Sequence, residues 1–243
     1  MKIKKRLDVY IQELYPHYSR TQIQSWIMQN KALVNGQVIA KPGTQVTDTD
    51  EVVFTLDLPK YVCRAGWKLE KALDYFEVDP KDLVILDAGL STGGFTDCLL
   101  QRGAQKVYGI DVGYGQVHEK IRQDPRVIVK ERTNLRYLED VGERVDLITL
   151  DLSFISISKV MNAVCTLLKP AGKLITLIKP QFEAERHEIG KGGIIKDPEV
   201  HKRVVEQTIK SIESFGFDCQ GVTESPIEGA TGNKEFLGYF VKI

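Results

Sequence analysis

The sequence has few cysteines and no long apolar segment. Its four cysteines lie far apart, without a Cys-x-x-Cys pair or a histidine at ligand spacing. We therefore expect reduced thiols and no metal site. No run approaches the ~20 consecutive apolar residues that cross a bilayer, and the basic N-terminus lacks the apolar stretch and cleavage site of a secretory signal. These absences predict a cytoplasmic protein without stable membrane association.

The charge of the chain is unevenly distributed. The 243 residues are 42% hydrophobic and 27% charged, enough for one large core and a small second one, and the formal net charge is +0. Residues 1–45 nevertheless contain seven Lys or Arg and only two acidic residues. A small basic module beside a near-neutral larger one is typical of an enzyme with a nucleic-acid-binding appendage, although a solvated charged face has the same composition.

The basic module begins with two segments of helical pattern. Within residues 4–14, apolar residues recur on one helical face, and Ser19 is a candidate N-cap for a second helix. The residues expected to face inward are Leu7, Ile11 and Leu14 in the first helix and Ile23, Trp26 and Ile27 in the second. An Asn35-Gly36 turn between apolar runs then predicts a hairpin, and residues 51–56 predict a further strand.

The segment SRTQIQSWIMQNKALVNGQVIAKPGTQV resembles the S4 RNA-binding domain, and the resemblance extends over residues 1–58. It implies that RNA phosphates lie against the second helix and the loops beside it. The residues expected to contact RNA are Lys4, Lys5, Arg6, Arg20, Lys31 and Lys41. Phosphate contacts of this kind position a substrate without selecting its sequence.

The segment LVILDAGLSTGGFTD, residues 83–97, places a glycine-rich turn between an apolar strand and a helix. A dinucleotide fingerprint would have glycine where Ser91 stands, because the backbone there approaches a pyrophosphate. A side chain at that position favours S-adenosylmethionine, and Asp111 follows the next strand, where a carboxylate can accept from ribose hydroxyls. The residues predicted to bind the cofactor are Asp87, Gly89, Ser91, Gly93, Gly94 and Asp111. An ordinary strand-to-helix turn is the alternative.

Apolar runs alternate with helical segments after a short linker at residues 59–62. The predicted strands are 83–88, 107–111, 127–129, 145–151, 173–179, 218–223 and 236–242. The last two are joined without a helix and should be antiparallel. We therefore predict an α/β protein: an α+β S4-like domain at 1–58 and a Rossmann-like, seven-stranded methyltransferase domain at 63–243, with helices on both faces of its sheet.

Charged residues end two of the buried strands over the crevice where ligands bind in such sheets. Asp151 follows LITL, and Lys179 follows LITLI. Burial lowers the pKa of an amine, so a lysine at such a place can act as a base. Methyl transfer from a sulfonium to a ribose hydroxyl requires in-line placement and removal of one proton. A structural Asp-Lys ion pair is the alternative.

Most of the chain carries a second resemblance. RAGWKLEKAL, DAGLSTGGFTDCLL, GIDVGYGQ, VKERTNLR, DLSFIS, LIKPQFE, GKGGIIKDPEVH and SPIEGATGNKEFL follow in order behind the S4-like segment. The series resembles the hemolysin A (TlyA) family, which is related to FtsJ-like ribosomal RNA 2'-O-methyltransferases. The resemblance implies a catalytic tetrad of Lys68, Asp151, Lys179 and Glu235. It also implies methylation of cytidine ribose in ribosomal RNA within ribosomal subunits. The family usually has glycine at the position of Ala65, and alanine restricts positive φ there.

Several alternatives stay open from the sequence. Lys68 fits an amphipathic surface helix, and Glu235 fits a solvated loop. The glycine-rich loop at residues 183–196 fits either a flap over RNA or a disordered connection. A noncatalytic RNA-binding or ribosome-assembly factor is the alternative function, and a membrane-active hemolysin is the least favoured, because neither an apolar span nor barrel-type alternation is present.

Overall fold

The computed structural model describes residues 4–16, 18–55, 59–229 and 231–243. The chain divides into two compact units, Met1–Pro59 and Lys60–Ile243. We call them the N-terminal unit and the C-terminal unit. Among the described residues, no helix is long and apolar enough to span a membrane.

The N-terminal unit packs two helices against short strands. Its described elements are β1 Lys4–Arg6, α1 Leu7–Leu14, α2 Arg20–Met28, β2 Ala32–Val34, β3 Gln37–Val38, β4 Gln45–Thr47 and β5 Val52–Phe54. They form a β1-β4 pair and a sheet of order β3-β2-β5. Ser19 caps α2 as expected: its hydroxyl accepts from Gln22 N, and the Gln22 side chain accepts from Ser19 N at 2.8 Å. Leu7, Ile11, Ile23 and Ile27 are fully buried in the core.

The prediction that residues 4–14 form one helix was wrong at its start. Residues 4–6 are a strand antiparallel to β4, and the helix begins at Leu7. Leu14, which the sequence predicts to face inward, is 55% exposed at the end of α1, and Trp26 is only half-buried. The predicted strand at 51–56 is Val52–Phe54, and residue 56 lies outside the described residues.

The C-terminal unit is a sheet with helices on both faces, which confirms the predicted Rossmann-like α/β fold. The seven strands found among its described residues are β6 Val84–Ala88, β7 Lys106–Ile110, β8 Val127–Lys130, β9 Val145–Leu150, β10 Leu168–Ile178, β11 Phe217–Glu224 and β12 Phe236–Lys242. The described α-helices are α3 Ala65–Tyr75, α4 Gly94–Gln101, α5 Glu119–Arg122, α6 Met161–Leu167, α7 Pro180–Glu183 and α8 Pro198–Glu213. Alternate residues of the strands enter two separate cores, one with α3 and α4 and the other with α6 and α8.

The strand order is β11-β12-β10-β9-β6-β7-β8. Strands β6 to β10 run parallel, and β12 pairs antiparallel with both β10 and β11. The connection reverses direction beside β6, because the chain passes outward through β7 and β8 and returns to β9 on the other side. Ligands of such sheets bind beyond the carboxyl ends of the strands at this reversal.

Residues 60–62, which the sequence assigns to the linker, pack on the C-terminal unit. Val62 N donates to the buried Asp97 carboxylate at 2.8 Å, and Gln101 donates to the carbonyl oxygen of Lys60 at 2.8 Å. Tyr61 is 2% exposed. The segment that precedes α3 is therefore fixed against α4. Ala65 is the first residue of α3, and the backbone there does not have a positive φ, so alanine fits where the family resemblance predicts glycine.

Candidate active site

A cavity of about 540 Å³ lies beyond the carboxyl ends of β6, β7 and β9. Of the six residues predicted to bind the cofactor, Gly89, Ser91 and Asp111 line it. Oδ2 of Asp111 accepts from Ser91 N at 2.7 Å, and Oδ1 accepts from Gly113 N at 2.7 Å. The acidic residue after β7 thus fixes the glycine-rich loop after β6.

Both the backbone conformation of Gly89 and its close contact with Asp151 require glycine at this position. Its φ is +86°, and a Cβ built there would lie 2.3 Å from the carbonyl oxygen of Asp151. Asp151 N in turn donates to Ala88 O at 2.9 Å. The loop after β6 and the first residue after β9 are consequently in direct backbone contact.

The other three predicted cofactor residues do not line this cavity. Gly93 precedes α4 with a φ of +101°, and a Cβ there would lie 2.9 Å from the Ile121 side chain. A Cβ at Gly94 would lie 2.5 Å from Cys63 Sγ. Both glycines therefore permit close packing of α4. Asp87 is fully buried beneath the loop, and its carboxylate accepts from Thr96 and Thr149 hydroxyls at 2.6 and 2.8 Å.

Burial raises the pKa of Asp87 to about 6, although the two threonine hydroxyls partly offset the cost of the charge. An unfolded chain loses this proton near pH ~3.9. Between these pH values the folded protein holds one proton more than the unfolded one, so its free energy of unfolding decreases as pH rises.

We expect Asp87→Asn to remove that pH dependence. Asparagine keeps one acceptor and offers a donor to the second threonine, so both contacts can persist. Denaturant unfolding should show the variant gaining about 2 to 3 kcal/mol relative to the parent between pH ~4 and pH ~7. A stability difference that is constant over this range would contradict the assignment of a raised pKa to Asp87.

A second cavity, of about 490 Å³, contains all four residues of the predicted tetrad. Lys179 Nζ lies 2.6 Å from Asp151 Oδ1 and donates to Ser153 Oγ at 2.9 Å. Lys179 directly follows β10, and Asp151 directly follows the neighbouring parallel strand β9. The predicted Asp-Lys pair is therefore present, and its lysine is only 8% exposed.

Lys68 and Glu235 form a second lysine-carboxylate pair in the same cavity, in direct hydrogen-bond contact. Lys68 lies on α3 and Glu235 directly precedes β12, and they are 6% and 3% exposed. The alternatives of a surface helix for Lys68 and a solvated loop for Glu235 are therefore wrong. Burying two ion pairs costs desolvation, which makes such a cluster more typical of functional sites than of purely structural ones.

The two cavities have a common wall. Ser91, Asp151, Ser153 and Phe154 line both of them. A ligand in the first cavity and a ligand in the second would thus meet beside Asp151.

Sequence reasoning missed two residues that support the site. Ser153 binds Lys179, as described above. Asn233 is 1% exposed, donates to Gly193 O at 2.8 Å and accepts from Ile195 N at 3.0 Å. It thereby ties the loop 183–196 to the segment that carries Glu235. The glycine pattern drew attention to the loop, but nothing in the sequence indicated which side chain would hold it.

Within the N-terminal unit, the six residues predicted to bind RNA differ in their contacts. Arg6 and Arg20 both donate to Asp8, at 3.0 and 3.1 Å. Lys5 lies on the other face of β1 and pairs with Glu13 at 2.7 Å. Lys4 is the first residue of β1. Lys31 lies between α2 and β2, and Lys41 lies in the turn before β4. Among the described residues of the whole chain, no group of three or more His, Cys, Asp or Glu side chains could hold a metal ion.

Comparisons with known proteins agree with this division of the chain. A model of the S4 domain matches residues 5–52, and a model of FtsJ-like methyltransferases matches residues 61–242. Hemolysin A of Brachyspira hyodysenteriae is 41% identical over 97% of this chain and 99% of its own length. The 16S/23S rRNA (cytidine-2'-O)-methyltransferase TlyA of Mycobacterium tuberculosis is 41% identical over 90% of this chain and 83% of its own length.

Solved structures show the same fold. A hemolysin candidate from Streptococcus thermophilus has a TM-score of 0.74 at 38% identity, covering 98% of this chain and 88% of that one. An S-adenosylmethionine-dependent methyltransferase candidate from Listeria monocytogenes has a TM-score of 0.56 at 19% identity, covering 74% of this chain and 100% of that one. The second comparison concerns the fold alone. The chain is a member of the hemolysin A (TlyA) family, in which an S4 domain precedes an FtsJ-like methyltransferase domain.

Proposed function

We propose that the protein is a ribosomal RNA 2'-O-methyltransferase that transfers a methyl group from S-adenosylmethionine to the 2'-hydroxyl of a cytidine. The observation that carries the proposal is the shared wall between the two cavities, with Asp151 in it and two buried lysine-carboxylate pairs on one side. The relatives named for cytidine-2'-O methylation of ribosomal RNA supply the substrate class.

The residues of the first cavity fit S-adenosylmethionine. Each oxygen of Asp111 accepts one backbone N–H and keeps acceptor capacity for a ribose hydroxyl. Ile110 and Leu135 offer apolar surface for an adenine ring, and Gly89 leaves the loop free of side-chain bulk. When bound, S-adenosylmethionine supplies a sulfonium methyl group that an oxygen nucleophile can attack.

Lys179 is the proposed base, and the other three tetrad residues are proposed to position it and the substrate. Lys179 would accept the proton of the 2'-hydroxyl as the oxygen attacks. Asp151 and Ser153 hold its amine beside the wall between the cavities. Lys68, fixed by Glu235, orients the ribose or its phosphate, so that the oxygen and the methyl carbon are held in line.

The S4-like domain, which we propose to span residues 1–58 within the N-terminal unit, is assigned to RNA docking. Its basic residues would contact phosphates of ribosomal RNA in the assembled subunit, and the domain at 63–243 would carry out the chemistry. Mapping of 2'-O-methyl groups on ribosomal RNA, from cells with and without the protein, tests the whole proposal. It predicts at least one cytidine that loses its 2'-O-methyl group when the protein is absent, and unchanged maps would contradict it.

We expect Asp111→Ala to weaken S-adenosylmethionine binding by about 1 to 3 kcal/mol, because hydrogen bonds to a carboxylate are lost. The loop should also loosen, since Ser91 N loses its acceptor. Titration calorimetry with S-adenosylmethionine and its demethylated product measures the change, and Asp48→Ala, at an exposed turn of the N-terminal unit, is the control. Equal affinities in parent and Asp111→Ala, or binding of NAD in place of S-adenosylmethionine, would refute the assignment.

A further inference from the structure

A buried carboxylate organises the basic residues of the N-terminal unit. Asp8, in the first turn of α1, is fully buried. Its Oδ1 accepts from Arg6 Nε and from Val9 N, each at 3.0 Å. Its Oδ2 accepts from Arg6 Nη2 at 3.0 Å, Arg20 Nε at 3.1 Å and Gln24 Nε2 at 2.6 Å. Five donors thus occupy one carboxylate.

The two arginines on this carboxylate keep their outer surfaces in solvent. Each side chain is 46% exposed. Because both donate to the same oxygen of Asp8, their guanidinium groups are neighbours despite their like charge. Among the described residues, Nη1 of Arg6 and both terminal nitrogens of Arg20 have no carboxylate partner. No carboxylate of the described residues therefore competes with an external anion for these nitrogens.

The backbone of Asp8 fixes a third basic element. Asp8 N donates to Pro42 O at 3.0 Å, and Leu7 N donates to Thr44 O at 2.8 Å. These bonds hold the turn that contains Lys41 against the start of α1. A Cβ built at Gly43, in this turn, would lie 3.3 Å from Arg6 Nη1. The turn and the arginine are therefore in contact.

Burial alone would raise the pKa of Asp8, but the hydrogen bonds from Arg6, Gln24 and Arg20 outweigh it and hold the pKa well below its ordinary value. The carboxylate is therefore charged near neutral pH. A free arginine side chain loses rotamer entropy when a ligand fixes it. Arginines already fixed in the unbound protein avoid most of that loss.

We propose that Asp8 is a positioning residue for RNA binding: it holds Arg6 and Arg20 side by side as one preformed clamp for backbone phosphate, next to the turn of Lys41. The inference rests on the proposed function in one respect, that the N-terminal unit docks RNA. The proposal gives an acidic residue a role in RNA binding, in a unit whose other candidate RNA-binding residues are all basic.

For Asp8→Asn, the positioning role and the change in net charge predict opposite effects on the affinity for RNA. Removing an acidic residue makes the unit more positive by one charge, which by itself strengthens attraction to RNA. Loss of positioning weakens it, because asparagine does not bind two guanidinium groups as a carboxylate does. The sign of the change therefore distinguishes positioning from net charge.

We would measure binding of the full-length protein to deproteinised ribosomal RNA from roughly 50 to 200 mM salt. Asp48→Asn is the matched control, since it removes the same charge from an exposed turn of the same unit. Asp8→Asn should bind about tenfold or more weakly, and its plot of log K against log salt should be flatter by about 1 to 2. Asp48→Asn should bind equally or slightly more tightly with an unchanged slope.

A folded Asp8→Asn protein that binds as tightly as Asp48→Asn, with the parental salt slope, would overturn the proposal. If Asp8→Asn unfolds the N-terminal unit, Arg20→Lys decides instead. It keeps the charge but loses the Nε donor to Asp8, and it should weaken binding severalfold, whereas Arg144→Lys, the same change at an exposed position before β9, should not. Parental affinity in Arg20→Lys would overturn the proposal. Failure of the parent protein to bind ribosomal RNA at all would instead refute the proposed function.

Discussion

Replacing Lys179 with alanine should leave a folded protein that binds S-adenosylmethionine and ribosomal RNA but has lost methyl transfer. Loss of a general base removes about a hundredfold to ten-thousandfold in rate, and misplacement of the hydroxyl would add to that. Lys179→Arg should be no better, because a guanidinium does not deprotonate at working pH. Single-turnover assays with tritiated cofactor and ribosomal subunits measure the chemical step directly.

Lys173 offers a matched control on the same strand. It is half-buried midway along β10 and lines neither cavity, and Lys173→Ala removes the same charge. This variant should keep the parental rate. Thermal unfolding of both variants separates lost chemistry from lost structure, since Lys179→Ala leaves Asp151 without its lysine. A rate within about threefold of the parent in folded Lys179→Ala would reduce the lysine to a structural ion-pair partner.

Gly89→Ala should damage cofactor binding and the tetrad together. A methyl group there meets the carbonyl oxygen of Asp151 at 2.3 Å, so either the loop after β6 or the residue after β9 has to move. We expect a loss of at least about 3 kcal/mol in the free energy of unfolding, from the clash and from the φ of +86° together. Affinity for S-adenosylmethionine should fall roughly tenfold or more, and transfer from bound cofactor should fall about a hundredfold.

Gly216→Ala distinguishes the effect of the clash with Asp151 from the effect of the positive φ. Gly216 has a φ of +83°, close to that of Gly89, but nothing lies within 4 Å of a Cβ built there. This variant should lose only about 1 to 2 kcal/mol from backbone strain and should bind S-adenosylmethionine normally. Equal effects of the two substitutions on stability and on calorimetric affinity would show that the contact between Gly89 and Asp151 does not matter to the site.

The fold of the C-terminal unit could be predicted closely because its parallel strands are buried on both faces. Each strand therefore appears in the sequence as an apolar run, and the charged residues at the carboxyl ends, Asp151 and Lys179, stand out against it. Lys68 and Glu235 could not be found in this way. They are 167 positions apart, and only the family resemblance linked them before the structure brought them into contact.

The differences between expectation and structure have equally specific causes. Asp87 looked like a cofactor ligand because it is an acidic residue at the end of a strand, but its side chain points among threonines rather than to the cavity. Gly93 and Gly94 looked like room for a ligand, yet they make room for Ile121 and Cys63. In the N-terminal unit, the helical periodicity extended into residues 4–6, but these residues form a strand because they pair with β4. Sequence reasoning about side-chain type does not reveal which neighbour a residue will face.

The most direct test of the account is to identify the methylated product. Purified protein, S-adenosylmethionine and ribosomal subunits from cells lacking the protein would be incubated, and the RNA would then be digested to nucleosides and analysed by mass spectrometry. The account predicts new 2'-O-methylcytidine with the parent protein, and none above background with Lys179→Ala. Methylation found on a base, or 2'-O-methylcytidine formed equally by parent and Lys179→Ala, would contradict it.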